Sequence, residues 1–181
     1  MFTALARMGE RQRNEARRDT LTGCLNRRTF HDILANEVAR GRRLGIGLGV
    51  LFVDVDHFKK INDEEGHTAG DQILVGVVEK MQGALRTTDL LFRWGGEEFV
   101  VLTPHTRPDE VGLVAERLRA SVAESPLLPD LREGGIAVTV SVGIAASTLQ
   151  DSDVSGLLRL ADEACLRAKA EGRNRVVISE T

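Results

Sequence analysis

The sequence predicts an α/β domain of the α+β kind, with a central, mostly antiparallel sheet flanked by helices. Three observations predict it. Leu48-Gly49-Val50-Leu51-Phe52-Val53 is a continuous apolar run of strand length, as a strand covered on both faces requires. Arg93-Trp94-Gly95-Gly96-Glu97-Glu98-Phe99-Val100-Val101-Leu102 reads as the inner halves of two strands joined by a glycine turn. Helical periodicities lie before, between and after these strands, so both kinds of element must pack in layers around one core.

Taken in order, residues 3–18 read as a charged helix, with Phe2, Leu5 and Met8 at i, i+3 spacing only at its start. A helix over 27–42 precedes the buried strand at 46–54. A short helix near 58–64 and a longer one at 70–85 follow. The hairpin pairs 90–94 with 98–103. Val111, Val114, Ala115, Leu118 and Val122 mark a helix at about 108–124. Pro126, Pro129 and Gly134-Gly135 make a loop, and a strand spans about 136–146. Leu157, Ala161, Ala164 and Ala168 mark the last helix, and Val176 to Ile178 a last short strand.

Length and composition bound the function. At 181 residues the chain is one domain with room for a core. A net charge of −3 argues against general nucleic-acid or membrane-surface binding. No apolar stretch reaches the roughly 18–20 residues of a transmembrane helix. Met1 to Arg18 is too charged for a signal peptide. Cys24 and Cys165 lack metal-ligand spacing and read as reduced thiols, so a cytoplasmic protein is expected.

The chemistry concentrates at two acidic segments. Glu97 and Glu98 sit side by side at a hairpin tip, where like charges repel unless they hold a metal ion or move a proton. The preceding glycines leave the backbone open to a bulky anion. The plainer alternative is a solvated hairpin with acidic decoration. Asp54 and Asp56 end the buried strand, a rigid base from which to aim metal ligands. Asp54 and Glu97 together supply the one or two carboxylates that magnesium typically takes. Lys59 and Lys60 follow and could neutralise phosphate charge, although Asp56 as a helix N-cap and Lys60 as a solvated charge are the bland readings. Asp71 reads either as a cap of the next helix or as an acceptor for guanine N1–H and the N2 amine, and Asn62 offers a donor and an acceptor to the same base.

These residues carry a resemblance. Asp54 to Asp63, Gly66-His67 with Gly70-Asp71, and Gly95-Gly96-Glu97-Glu98-Phe99 stand in the order and spacing of the GGDEF family, which contains the diguanylate cyclases. Asp19 to Arg28, Val138 to Ile144, and Ala161-Asp162 followed by Ala168-Lys169 and Gly172-Arg173-Asn174 resemble its opening, late-strand and closing motifs. The resemblance runs from about Asp19 to Ile178 and implies the palm-like fold of nucleotide cyclases and polymerases. It implies condensation of two GTP into cyclic di-GMP and two pyrophosphates, by a homodimer whose domains each hold one GTP, with magnesium or manganese as cofactor.

Position by position, the resemblance implies that Asp54, Glu97 and the Val55 carbonyl hold the metal, and that Asn62 and Asp71 read guanine. Backbone N–H groups near His57 and Phe58, with Lys59, Lys169 and Arg173, would bind phosphates. Glu97 is the favoured acceptor of the 3′-OH proton, with Glu98 assisting at the metal, and the choice between the two stays open. Arg86 and Asp89, five residues before the glycine pair, match the family's inhibitory product site, with Arg117 as a secondary arginine. Without the resemblance, Arg86 and Asp89 read as an ordinary helix end and turn, and Arg117 as part of an exposed helix face. Residues 1–18 lie outside the motifs and read as a signalling helix from an upstream sensory domain, leaving 19–181 as the catalytic domain.

Cys165-Leu166 stand where the family usually has Leu-Tyr, a change expected to alter how a buried position is filled without touching the chemistry, and Trp94 reads as a packing residue. Two other functions compete: a receptor that holds cyclic di-GMP at Arg86 and Asp89 without turnover, and a regulatory GTP-binding domain. The full set of Asp54, Asn62, Asp71, Glu97 and Glu98 argues against the receptor, which has no need of them all.

Overall fold

A computed structural model of the chain describes residues 16–128, 130–148 and 156–180. Along it run β1 (Leu25–Asn26), α1 (Arg27–Leu44), β2 (Leu48–Val55), α2 (Phe58–Glu65), α3 (His67–Ala84), β3 (Leu90–Gly95), β4 (Glu98–Pro104), α4 (Pro108–Ala123), β5 (Val140–Ser147), α5 (Leu157–Ala170) and β6 (Val176–Ile178). The strands form one sheet in the order β1-β3-β4-β2-β5-β6. Its three central pairings are antiparallel and the two outer ones, β1 with β3 and β5 with β6, are parallel. The expected mixed, mostly antiparallel sheet is therefore present.

The apolar run of β2 is explained by its two covered faces, since every residue of the strand is buried. Leu51, Val53 and Val55 join a core with Ile73, Leu74, Val77 and Met81 of α3 and Val111, Leu118 and Val122 of α4. The alternate residues Leu48, Val50 and Phe52 face Phe30 of α1 and Leu157, Ala161 and Cys165 of α5. The period-2 alternation thus sorts one continuous run into two cores. Phe30, Phe92 and Phe99 are each fully buried, worth about 2–3 kcal/mol apiece. Trp94 is the packing residue expected: its ring meets Phe30 at 5.4 Å and Phe52 at 6.4 Å, and the Arg27 guanidinium lies 4.3 Å from its centroid. That cluster pins the end of β3, next to the glycine turn, to α1.

Gly143 of β5 sets how closely α5 approaches. A Cβ there would come within 2.1 Å of the Ala161 carbonyl oxygen and of the Cys165 nitrogen. With alanines at 161, 164 and 168, α5 lies directly on the sheet and carries Lys169 to the end of β2. Cys165 is buried beneath it, its Sγ 3.4 Å from the Ser141 carbonyl, while Leu166 is exposed.

Several expectations are corrected. The helix over 3–18 lies outside the described residues as far as 15, and at 16–18 there is a turn and then a β-bridge from Arg18 to Leu25. β1 was not expected. α3 begins at His67 rather than 70, because Gly66 at φ +85° both ends α2 and starts α3, so Asp71 lies inside the helix and caps nothing. Asp56 is no N-cap either. His57, with φ +57°, holds that position, and its side chain makes no capping bond. The strand over 136–146 is shorter at its start, with Ile136 forming only an isolated bridge to Leu127.

Candidate active site

The site forms where β2, the β3–β4 turn and the end of α5 meet. Asp54 faces Glu98 in the β2–β4 ladder, and Val55 N–H donates to the Glu97 carbonyl at 3.2 Å. These pairings bring the two acidic segments of the sequence together. Asp54 is only 5% exposed, and Lys169 donates to its Oδ2 at 2.9 Å. Burial pushes the Asp54 carboxyl above its ordinary range; Lys169 pulls it down, and the charges of Glu97 and Asp56 push it up again. Glu98 is raised as well, first by burial and then by the charges of Asp54, Asp162 and Glu97. Burial pulls Lys169 down, but its hydrogen bond and ion pair with Asp54 outweigh that and leave it raised.

Carboxylates crowded at one sheet end call for a positive charge, and Lys169 partly supplies it. The donors on offer, two carboxylates and the Val55 carbonyl, are all oxygen, the set that hard divalent cations prefer. The residues present therefore fit magnesium or manganese.

Asp56 turns inward, away from this cluster. It accepts from Thr139 Oγ1 and Ser141 Oγ, both at 2.7 Å, and from the Asn174 N–H at 3.0 Å. That last bond ties the Gly172-Arg173-Asn174 turn to β2, with Arg173 at φ +64° and Asn174 at φ +44°. Lys169 is held against Asp54, and the backbone of Arg173 is thus fixed one residue from the Asn174 N–H that binds Asp56. The Arg173 guanidinium enters no ion pair among the described residues.

The first turn of α2 presents backbone N–H groups with no side-chain cap, the ordinary makings of an anion site. His57, Lys59 and Lys60 are exposed around it and Phe58 is buried below. Lys60 pairs loosely with Glu64 at 3.6 Å, in keeping with a solvated charge. Asn62, on the next turn, rests on Gly70 of α3: a Cβ at Gly70 would fall 1.9 Å from Asn62 Oδ1. The missing side chain at 70 leaves room for the Asn62 amide against α3, and Asp71, the next residue along that helix, is exposed.

The hairpin is fixed from outside by a residue to which the sequence alone gives no role. Arg93 donates to the Gly96 carbonyl through Nε at 3.1 Å and Nη2 at 2.8 Å, and through Nη1 to Asp19 Oδ1 at 3.0 Å. Asp19 in turn accepts from Thr22 N–H and Thr22 Oγ1. The opening motif is thereby a clamp on the signature turn. Nothing in the sequence pairs residues 19 and 93, which lie 74 positions apart.

Arg86 and Asp89 lie away from the carboxylates, at the end of α3. They close a tight turn, with Arg86 N–H donating to Asp89 Oδ2 at 2.9 Å and Asp89 N–H to the Arg86 carbonyl at 3.0 Å. Arg117 reaches the same helix end, its Nε donating to the Ala84 carbonyl at 2.6 Å. Among the described residues no helix is long and apolar enough to cross a membrane.

The family model described as "Diguanylate cyclase, GGDEF domain" matches residues 16–175. The chain is 38% identical over 176 residues to diguanylate cyclase DgcM of Escherichia coli K12, covering 97% of this chain and 42% of that protein. It is 40% identical over 159 residues to the response regulator PleD of Caulobacter vibrioides, covering 88% of this chain and 35% of that one. The chain thus spans well under half the length of these relatives. Among solved structures, the coiled coil and GGDEF domain of DgcB from Caulobacter crescentus, in complex with c-di-GMP, superposes with a TM-score of 0.88 at 29% identity, covering 98% of this chain and 93% of that one. The active GGEEF domain of a Vibrio cholerae diguanylate cyclase does so at 0.78 and 30%, covering 86% and 97%. A family match across nearly the whole described chain, with the signature carboxylates seated on the hairpin as above, places this chain in the GGDEF domain family.

Proposed function

We propose that this chain is the catalytic domain of a diguanylate cyclase, condensing two GTP into cyclic di-GMP. The observation that carries the reading is the convergence of Asp54, Glu97 and Glu98 at one sheet end, with Lys169 already drawn onto Asp54. Asn62, packed against Gly70, and the exposed Asp71 that follows that glycine would read guanine. Guanine N1–H and the N2 amine give Asp71 two donors, whereas adenine leaves the carboxylate unpaired, a mismatch worth a few kcal/mol.

In the reaction the 3′-oxygen of each GTP bonds to the α-phosphorus of the other. The bond from that phosphorus to the β-phosphate bridging oxygen breaks, and pyrophosphate departs. Glu97 takes the 3′-OH proton and Glu98 holds the turn's second charge beside it. The uncapped amides of α2, with Lys59 and Arg173, receive the β and γ phosphates, and Lys169 moves from Asp54 to phosphate as substrate enters. Asp54, Glu97 and the Val55 carbonyl would hold magnesium or manganese. Bound there, the ion neutralises the triphosphate and makes the α-phosphorus more electrophilic.

One domain offers one GTP site, so the active species is a homodimer whose sites face each other across a two-fold axis. Residues 1–18 connect the domain to an upstream sensory unit that governs this pairing. Product binds at Arg86 and Asp89, with Arg117 as a secondary contact, and restrains turnover. Substrate choice tests the reading: pyrophosphate release from GTP should exceed that from ATP at least tenfold, and Asp71→Ala should narrow the gap. Equal rates with the two nucleotides would remove Asp71 from base recognition.

A further inference from the structure

Behind the Arg86–Asp89 turn lies a cavity of about 480 Å³, in the size range of small-molecule sites. One wall is the end of α3 and the start of β3, with Gln82, Arg86, Asp89 and Leu91. The other is the opening turn, with Arg18 and Leu25. We propose that Arg18 is a ligand-binding residue of this cavity, so that an anionic guanine nucleotide lodged against Arg86 and Asp89 is gripped from both sides by guanidinium groups. The proposal rests on reading that turn as the product site and adds to it a residue from a separate segment of the chain.

Two features support it. Arg18 and Arg86 both line this cavity, and neither makes an ion pair among the described residues. An anion in a cavity lined by two such residues can accept forked hydrogen bonds from both. Asp89 lines the same cavity, and while its Oδ2 holds Arg86 N–H, its Oδ1 is buried with no hydrogen-bond partner. The lining therefore combines two cations and an under-used acceptor with Leu85, Leu90 and Leu91, a set complementary to a guanine carrying a phosphodiester.

Arg18 is also held in place. The opening turn is closed by Asp19 N–H to the Cys24 carbonyl and by Asn26 N–H to the Arg17 carbonyl, both at 2.9 Å, and Arg18 bridges to Leu25. One N–H group of Arg18, on Nη1, donates to the Gly23 carbonyl at 2.6 Å, and its remaining donors stay available. Asp19, the next residue, anchors Arg93 on the Gly96 carbonyl, so a ligand on Arg18 touches the segment that clamps the signature turn.

Equilibrium binding of cyclic di-GMP to the nucleotide-free chain tests this, with Arg18→Gln, Arg18→Lys and Arg86→Ala alongside. Glutamine keeps a donor for the Gly23 carbonyl and so preserves the turn while removing the charge. Arg18→Gln is expected to weaken binding about tenfold or more, with Arg18→Lys between it and wild type. The salt dependence of binding should also flatten in Arg18→Gln and not in Arg18→Lys. Wild-type affinity and salt dependence in Arg18→Gln, with Arg86→Ala weakened, would overturn the role of Arg18 and leave the product site standing. Wild-type affinity in Arg86→Ala as well would overturn both.

Discussion

Asp56 illustrates what a single residue decides here. From its place at the end of a strand it reads as a helix cap, yet its carboxylate accepts three hydrogen bonds, from Thr139 just before β5, from Ser141 of β5 and from the turn after α5. The partners lie 83, 85 and 118 positions away in the sequence, so no local pattern could announce them. Asp56→Ala leaves two hydroxyls and one amide without their acceptor and should cost about 2–4 kcal/mol. Asp56→Asn keeps one acceptor and the shape, so it should fold nearly as well. It should still raise the KM for GTP more than it lowers kcat, because Arg173 sits on the turn it holds. An unchanged KM in a folded Asp56→Asn would reduce Asp56 to a purely structural anchor. The meeting of Asp54 with Glu98 at one sheet end follows from the strand and hairpin periods, which the sequence does show, whereas the partners of Asp56 do not.

At the scale of elements, the segment most worth testing is the opening turn against the β3–β4 hairpin. Burial alone would raise the Asp19 carboxyl, but hydrogen bonds from Thr22 and Arg93 outweigh it and hold it below the usual carboxylate range. A carboxylate lowered in the folded state stabilises the fold above its unfolded pKa, and that gain disappears as pH falls through the lowered folded value. Wild type should therefore melt above Asp19→Asn at neutral pH, by of order 1 kcal/mol, and the difference should close as pH drops below about 3.8. A gap that persists into acid would assign the clamp to packing rather than charge.

Element types and order were legible from periodicity, since helices α1, α4 and α5 and the hairpin stand within a few residues of their expected bounds. β1 was not, because two residues carry no period. The start of α3 was missed because Gly66 ends one helix and begins the next, so no loop separates them.

For the whole molecule, the account requires two copies. Each domain places one set of carboxylates at one sheet end, and the product needs two nucleotides joined head to tail. Specific activity should therefore rise with protein concentration and level off once the dimer is saturated. A rate strictly proportional to concentration down to the nanomolar range would point to a preformed tight dimer or to a single-chain reaction. Sedimentation of the same samples separates those two outcomes.

Cyclase activity is tested by incubating the nucleotide-free chain, at high concentration, with GTP and magnesium and assaying for cyclic di-GMP beside Glu97→Ala. Product is expected in the wild type, with a loss of at least about a hundredfold in the variant. Equal product from both would contradict the assignment of Glu97. Absence of product from a demonstrably dimeric, GTP-bound wild type would contradict the cyclase itself.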